Sequence, residues 1–203
     1  MKNAHDWAVD KYTDWGIKAY NHQWGIWRGW ERGITHIDML EPRLRTLNGR
    51  QLAWSPSTPK KGITAGVTKV PEIDSKEDFD LWLKTIKGKF ILVSQNQITG
   101  RPDYQWEEYA TPESFEKMKE DREKITEKWY ANFRKTGYGY RDINKAFEDA
   151  GAVGLISSNW SRAFGANKVF SARTEKIPNV DVNLEDYTCL LYTSDAADEI
   201  ASV

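Results

Sequence analysis

Two stretches decide the fold: Lys87-Gly88-Lys89-Phe90-Ile91-Leu92-Val93 and Ala150-Gly151-Ala152-Val153-Gly154-Leu155-Ile156. In the first, a Lys-Gly-Lys turn feeds an unbroken apolar run, the pattern of a strand buried on both faces and not of one with a wet side. In the second, a helix running from Asp142 to Ala150 stops at Gly151 and the chain re-enters as a short apolar strand from Val153 to Ile156. Helix, glycine, buried strand is half of a crossover unit, so the chain is expected to be α/β (α+β).

Working outward, Thr111 to Lys135 carries the clearest helical pattern. Thr111 is a cap, Pro112 suits the first turn, and Phe115, Met118, Ile125, Trp129 and Phe133 form one apolar stripe. Its Glu/Lys pairs four residues apart describe a solvated face, each worth about 0.2–0.5 kcal/mol. Asp74-Ser75 caps a shorter helix with Phe79, Trp82 and Leu83 on one side, and Asp142 is expected to cap the helix ending at Ala150. Between Arg43 and Val70 the texture is strand and turn. Asn48-Gly49, flanked by Arg43 to Leu47 and Gln51 to Trp54, predicts a type I′ hairpin, and Ile63 to Val70 alternates as a further strand. At the start, Ala4, Trp7, Ala8, Tyr12 and Trp15 mark a helix from Asn3 to Trp15 closed by Gly16, and Ile34 to Leu40 has strand propensity.

Composition narrows the function. The 29 Lys and Arg balance 30 Asp and Glu for a net charge of −1, without the cationic excess that phosphate backbones demand, so no nucleic-acid partner is expected. No window approaches the roughly 20 apolar residues of a membrane span, in keeping with a mean hydropathy of −0.71. Met1 to Asp6 lack the apolar core of a signal peptide. Cys189 stands alone, which leaves no internal disulfide and no Cys/His zinc cluster.

Several residues carry candidate chemistry. His36 and Asp38 share a strand face and have the types of a metal ligand with a steering carboxylate, yet such a centre needs further ligands; they read as a local hydrogen-bonded pair. Ser55, Ser57, Ser157, Ser158 and Ser161 sit in no nucleophile elbow, and no histidine follows residue 36. Glycine spacing matches no nucleotide-binding fingerprint. Tryptophan is the outlier: of ten, five lie in the first thirty residues. Trp24, Trp27 and Trp30 read as packing at a domain junction; the alternative is an aromatic platform for sugars or peptides, with Arg28 adding a cation–π contact.

The order of Asp6-Trp7-Ala8, Trp15-Gly16, Trp27-Arg28-Gly29-Trp30-Glu31-Arg32-Gly33, Met39-Leu40-Glu41-Pro42, Leu52-Ala53-Trp54-Ser55-Pro56, the 87–93 run, Ala110-Thr111-Pro112-Glu113-Ser114-Phe115 and the 150–156 run resembles the di-zinc exopeptidases related to aminopeptidase Y and plasma glutamate carboxypeptidase, peptidase family M28. The resemblance implies that residues 1–42 belong to the peptidase domain. Residues 43–188 would form a protease-associated (PA) domain, a small β-sheet or open barrel with flanking helices, with a helical insertion at 111–136. In the complete enzyme it implies two zinc ions, peptide substrates, a zinc-bound water with a glutamate base, and a secreted or periplasmic location. The family's ligands follow the PA domain, and His36 does not fall at a ligand position, so no catalytic, cofactor-binding or metal residue is assigned to this chain, which is expected to be inactive. Residues 189–203 resemble a translated transposase-end adapter from DNA library preparation and are expected to be non-native, and Met1 is expected to be an internal methionine. The isolated piece is expected to fold marginally, its N-terminal aromatic face lacking the partner it packs against.

Overall fold

A computed structural model of the chain describes residues 2–26, 29–166, 169–170 and 172–200. It divides into two compact units, Met1–Glu31 and Arg32–Val203. In the first, α1 (Lys2–Asp14) ends as the sequence predicts: Gly16 adopts a φ of +77°, and its N–H and that of Ile17 return to the carbonyls of Thr13 and Tyr12. None of its side chains is buried.

The second unit opens with a two-stranded antiparallel pair, β1 (Asp38–Met39) and β2 (Arg45–Thr46), joined through a cis Glu41-Pro42 bond. This pair straddles residues 42 and 43. Five more strands form the main sheet: β3 (Gly49–Gln51), β4 (Val67–Lys69), β5 (Phe90–Leu92), β6 (Gly154–Ser157) and β7 (Asn179–Val182), in the order β3-β7-β6-β5-β4. The last four run parallel and β3 lies antiparallel to β7. The sheet is open, with β3 and β4 as its edges.

Both decisive stretches take the predicted central positions. β5 and β6 pair with Ile91 opposite Leu155 and Leu92 opposite Ile156. Alternation sends Ile91 and Leu155 into one core with Phe79, Leu83, Ile143 and Phe147, and Leu92 and Ile156 into another with Met39, Val182, Tyr187 and Leu190. The first core is roofed by α2 (Lys76–Leu83) and α5 (Asp142–Asp149), the second by α6 (Leu184–Ile200). Gly154 sits where a Cβ would meet the Phe90 ring at 2.6 Å, so only glycine lets these strands close up. Between β5 and α5 the chain adds α3 (Asp103–Tyr109) and α4 (Pro112–Lys135).

The caps of α2 and α4 are as predicted: the Ser75 hydroxyl accepts from the Asp78 N–H, and Thr111 from Ser114. Four expectations change. Asn48-Gly49 turns no hairpin; β2 pairs with β1 while β3 pairs with β7, and Gly49 is needed because a Cβ would meet Ile37 Cδ1 at 2.7 Å and Val182 Cγ1 at 2.8 Å. Asp142 is the first helical residue of α5 and not its cap; Arg141 holds that place without a side-chain bond. The strands expected over Ile63 to Val70 and Ile34 to Leu40 shorten to three and two residues, with single backbone bonds from Phe90 to Gly66 and from Leu47 to Ile37 beyond their ends. Finally, β7 and α3 were not expected at all.

Candidate functional site

Because β5, β6 and β7 run parallel, the segments that follow them all leave from one edge, where open α/β sheets place their binding crevices. Polar side chains stitch that edge together. Asp181 on β7 is 1% exposed and accepts hydrogen bonds from Ser157 Oγ at 2.9 Å, the Asn159 backbone N–H at 2.7 Å and Asn159 Nδ2 at 2.8 Å. Tyr187 of α6 is fully buried, and its hydroxyl accepts from the Ser94 N–H and donates to the Ser94 carbonyl, each at 2.7 Å. Burial pushes the Tyr187 phenol well above its ordinary range. The Ser158 N–H reaches Ser94 Oγ at 2.9 Å, so the segments after β5 and β6 are joined directly.

Over this edge lies a second layer. Arg122, buried in the middle of α4, donates to the Asp103 carboxylate at the start of α3, to the Arg101 carbonyl at 2.9 Å and to the Thr99 carbonyl at 3.4 Å. Its guanidinium stacks 4.4 Å from the Trp160 ring centre. Asp103 also accepts from Arg162 Nη1 at 3.1 Å. Arg162 itself holds a φ of +63°, rare for a residue with a side chain. The same region collects buried polar atoms without hydrogen-bond partners: Gln95 Oε1, Gln97 Oε1, Trp106 Nε1, Arg122 Nε and Ser158 Oγ. Each such atom costs about 1–3 kcal/mol.

Ser157 Oγ is engaged with Asp181, and Ser55 Oγ accepts from the Asn179 N–H at 2.8 Å while donating to the Pro56 carbonyl. His36 lies elsewhere, its Nε2 2.8 Å from Asp38 Oδ2, whose other oxygen accepts from Thr46 Oγ1 at 2.8 Å. This is the local pair read from the sequence, and the imidazole is mostly exposed. Among the described residues no three His, Cys, Asp or Glu side chains gather to hold a metal ion. Trp24 is 80% exposed and Trp30 half-buried, while Trp27 and Arg28 lie outside the described residues.

No family model and no curated protein matches the chain. Among solved structures, it is similar to the crystal structure of a peptidase M28 precursor from Shewanella amazonensis SB2B, with 18% identity and a TM-score of 0.49. That likeness covers 93% of this chain and 37% of the other.

Sequence reasoning missed Asp181, Arg122 and Asp186. Asp186 is also buried and accepts from the Asn48 N–H at 2.7 Å and from Arg45. Only its spacing from Asn183, whose side chain caps the Asp186 N–H at 2.8 Å, was a usable signal. No helix among the described residues is long and apolar enough to cross a membrane.

Proposed function

We propose that the chain is part of a secreted or periplasmic zinc-dependent exopeptidase of the M28 type. In this reading residues 43–188 form a non-catalytic PA domain that shapes substrate access or protein contacts, and residues 1–42 belong to the peptidase domain. The two zinc ions would be held by sequence that follows this chain, and residues 189–203 are non-native.

The observation that carries the reading is the apolar surface leading into the sheet. Ile34 is 100% exposed, Leu44 74% and Leu40 53%. Large aliphatic side chains this exposed, close together in sequence and beside a packed core, fit a surface that a partner domain covers. The ordered motif series from Asp6 to Ile156 supports the same reading.

Two experiments test it. The genomic sequence that continues the frame beyond codon 188 is expected to encode a di-zinc ligand set, and the extended protein to release terminal residues from short peptides until a chelator is added. Peptide hydrolysis by the 203-residue chain alone with zinc, lost on His36→Ala, would overturn the reading. The exposure of Trp24 favours one competitor, a carbohydrate- or peptide-binding module. A saturable change in tryptophan fluorescence on titration with glycans, abolished by Trp24→Ala, would establish that module instead.

A further inference from the structure

Between residues 102 and 127, which cover α3 and the first two thirds of α4, only Pro102, Met118 and Arg122 are buried. α3 itself contributes no buried side chain and has no side-chain cap. The far end of α4 is held differently. There Asn132 accepts from the Ile73 N–H at 2.9 Å and donates to the Pro71 carbonyl at 2.8 Å, Phe133 packs on the first core, and Thr136 is fully buried. That end of the helix is thus held by the Asn132 side-chain amide on the backbone of Pro71 and Ile73 and by the packing of Phe133. The other end carries both buried side chains of α4, Met118 and Arg122, and its polar contacts with the sheet edge run through Arg122 and Asp103.

That polar seam is poorly satisfied. Its unpartnered atoms belong to residues that touch or closely neighbour the latch: Gln97 lies two residues before Thr99, Ser158 two before Trp160, and Trp106 one helical turn beyond Asp103. Opening the seam would give each of them water, whereas opening the anchored end would gain nothing of the kind. We propose that α3 and the N-terminal half of α4 form a latched arm that lifts off the carboxyl edge of β5 and β6 while the sheet stays folded. Asp103, shared between Arg122 and Arg162, is the latch. The inference stands on this geometry and not on the peptidase reading.

Hydrogen exchange of the full chain, followed by mass spectrometry, tests it. Backbone amides of α3 and of 115–123 in α4 are expected to exchange through an opening that leaves those of β5 and β6 protected. Asp103→Asn should accelerate the arm segments about ten- to a hundredfold, the worth of a lost charge-assisted hydrogen bond, and leave the strands within about twofold. Arg162→Ala, at an exposed side chain that does not threaten folding, should accelerate them about two- to fivefold. A single common exchange rate for arm and strands would overturn the proposal. So would arm exchange that Arg162→Ala leaves unchanged.

Discussion

Phe79 and Ile34 belong to the same compact unit and to the same chemical class, yet Phe79 is 0% exposed and Ile34 is 100% exposed. Phe79 sits on a capped helix whose apolar face meets the Trp82, Tyr138 and Phe147 rings at centroid distances of 5.6, 5.5 and 6.0 Å. Ile34 sits between Arg32 and Thr35, which both bond to Gln51, yet its own side chain is left in water. The residues 7–44 hold many of the chain's large exposed apolar side chains, while the buried ones cluster where helix and strand periods agree with a facing element. Hydrophobicity by itself therefore decides nothing about burial; a complementary surface does.

The largest break in that comparison is expected at the core. Phe79→Ala should lower unfolding free energy by about 3–5 kcal/mol in urea titration, because it empties a ring-lined site that α2 cannot collapse into. A loss below about 1 kcal/mol would mean that the α2 core is not formed in solution. Next comes the sheet edge. Asp181→Ala removes the acceptor of three hydrogen bonds and should cost about 2–3 kcal/mol, with Asn159 and Ser157 left unsatisfied. Full stability in that variant would show that water serves these donors equally well.

What the sequence made legible follows the same division. α2 and α4 were readable because cap, first-turn residues and apolar stripe agree along one local stretch. β5 and β6 were readable because four apolar residues in a row between turns have few other fates. The Asn48-Gly49 hairpin failed because local turn preference lost to pairing with β7, in which the Asn48 carbonyl accepts from the Asn183 N–H at 2.8 Å and Asp186 takes the Asn48 N–H. β7 itself was hidden by Asp181, since a carboxylate in a strand reads as solvent-facing until its three donors are known. Arg122 was hidden in the α4 charge run, indistinguishable in type from neighbours that are exposed. Both are tertiary facts, set by residues 19 to 24 positions away.

Tyr187 sharpens the comparison through pH. Its folded-state pKa is raised by burial above the ordinary 10.0, so the folded chain holds the phenolic proton more tightly than the unfolded chain. The stabilisation is complete below pH 10 and is lost as pH climbs past it, at about 1.4 kcal/mol per pH unit. Tyr187→Phe should cost about 1–2 kcal/mol at neutral pH, from the two hydrogen bonds to Ser94, and should flatten that alkaline decline. An unchanged slope in thermal melts between pH 9 and 11 would assign the decline to other groups.

The smallest expected effect is the most informative about what the exposed region is for. In the 203-residue chain, Ile34→Ser should change stability by no more than about 0.5 kcal/mol, because the side chain has no contacts to lose. In a protein extended along its reading frame, the same substitution should cost about 1.5–3 kcal/mol, the worth of burying one large aliphatic side chain. The difference between the two measurements isolates burial by a partner surface from any intrinsic preference of the segment, since the local sequence is identical in both. Equal and small effects in the two chains would leave Ile34 exposed in the whole protein and remove the principal support for an interface there. A cost above about 1 kcal/mol in the short chain would place Ile34 against a surface this chain already possesses.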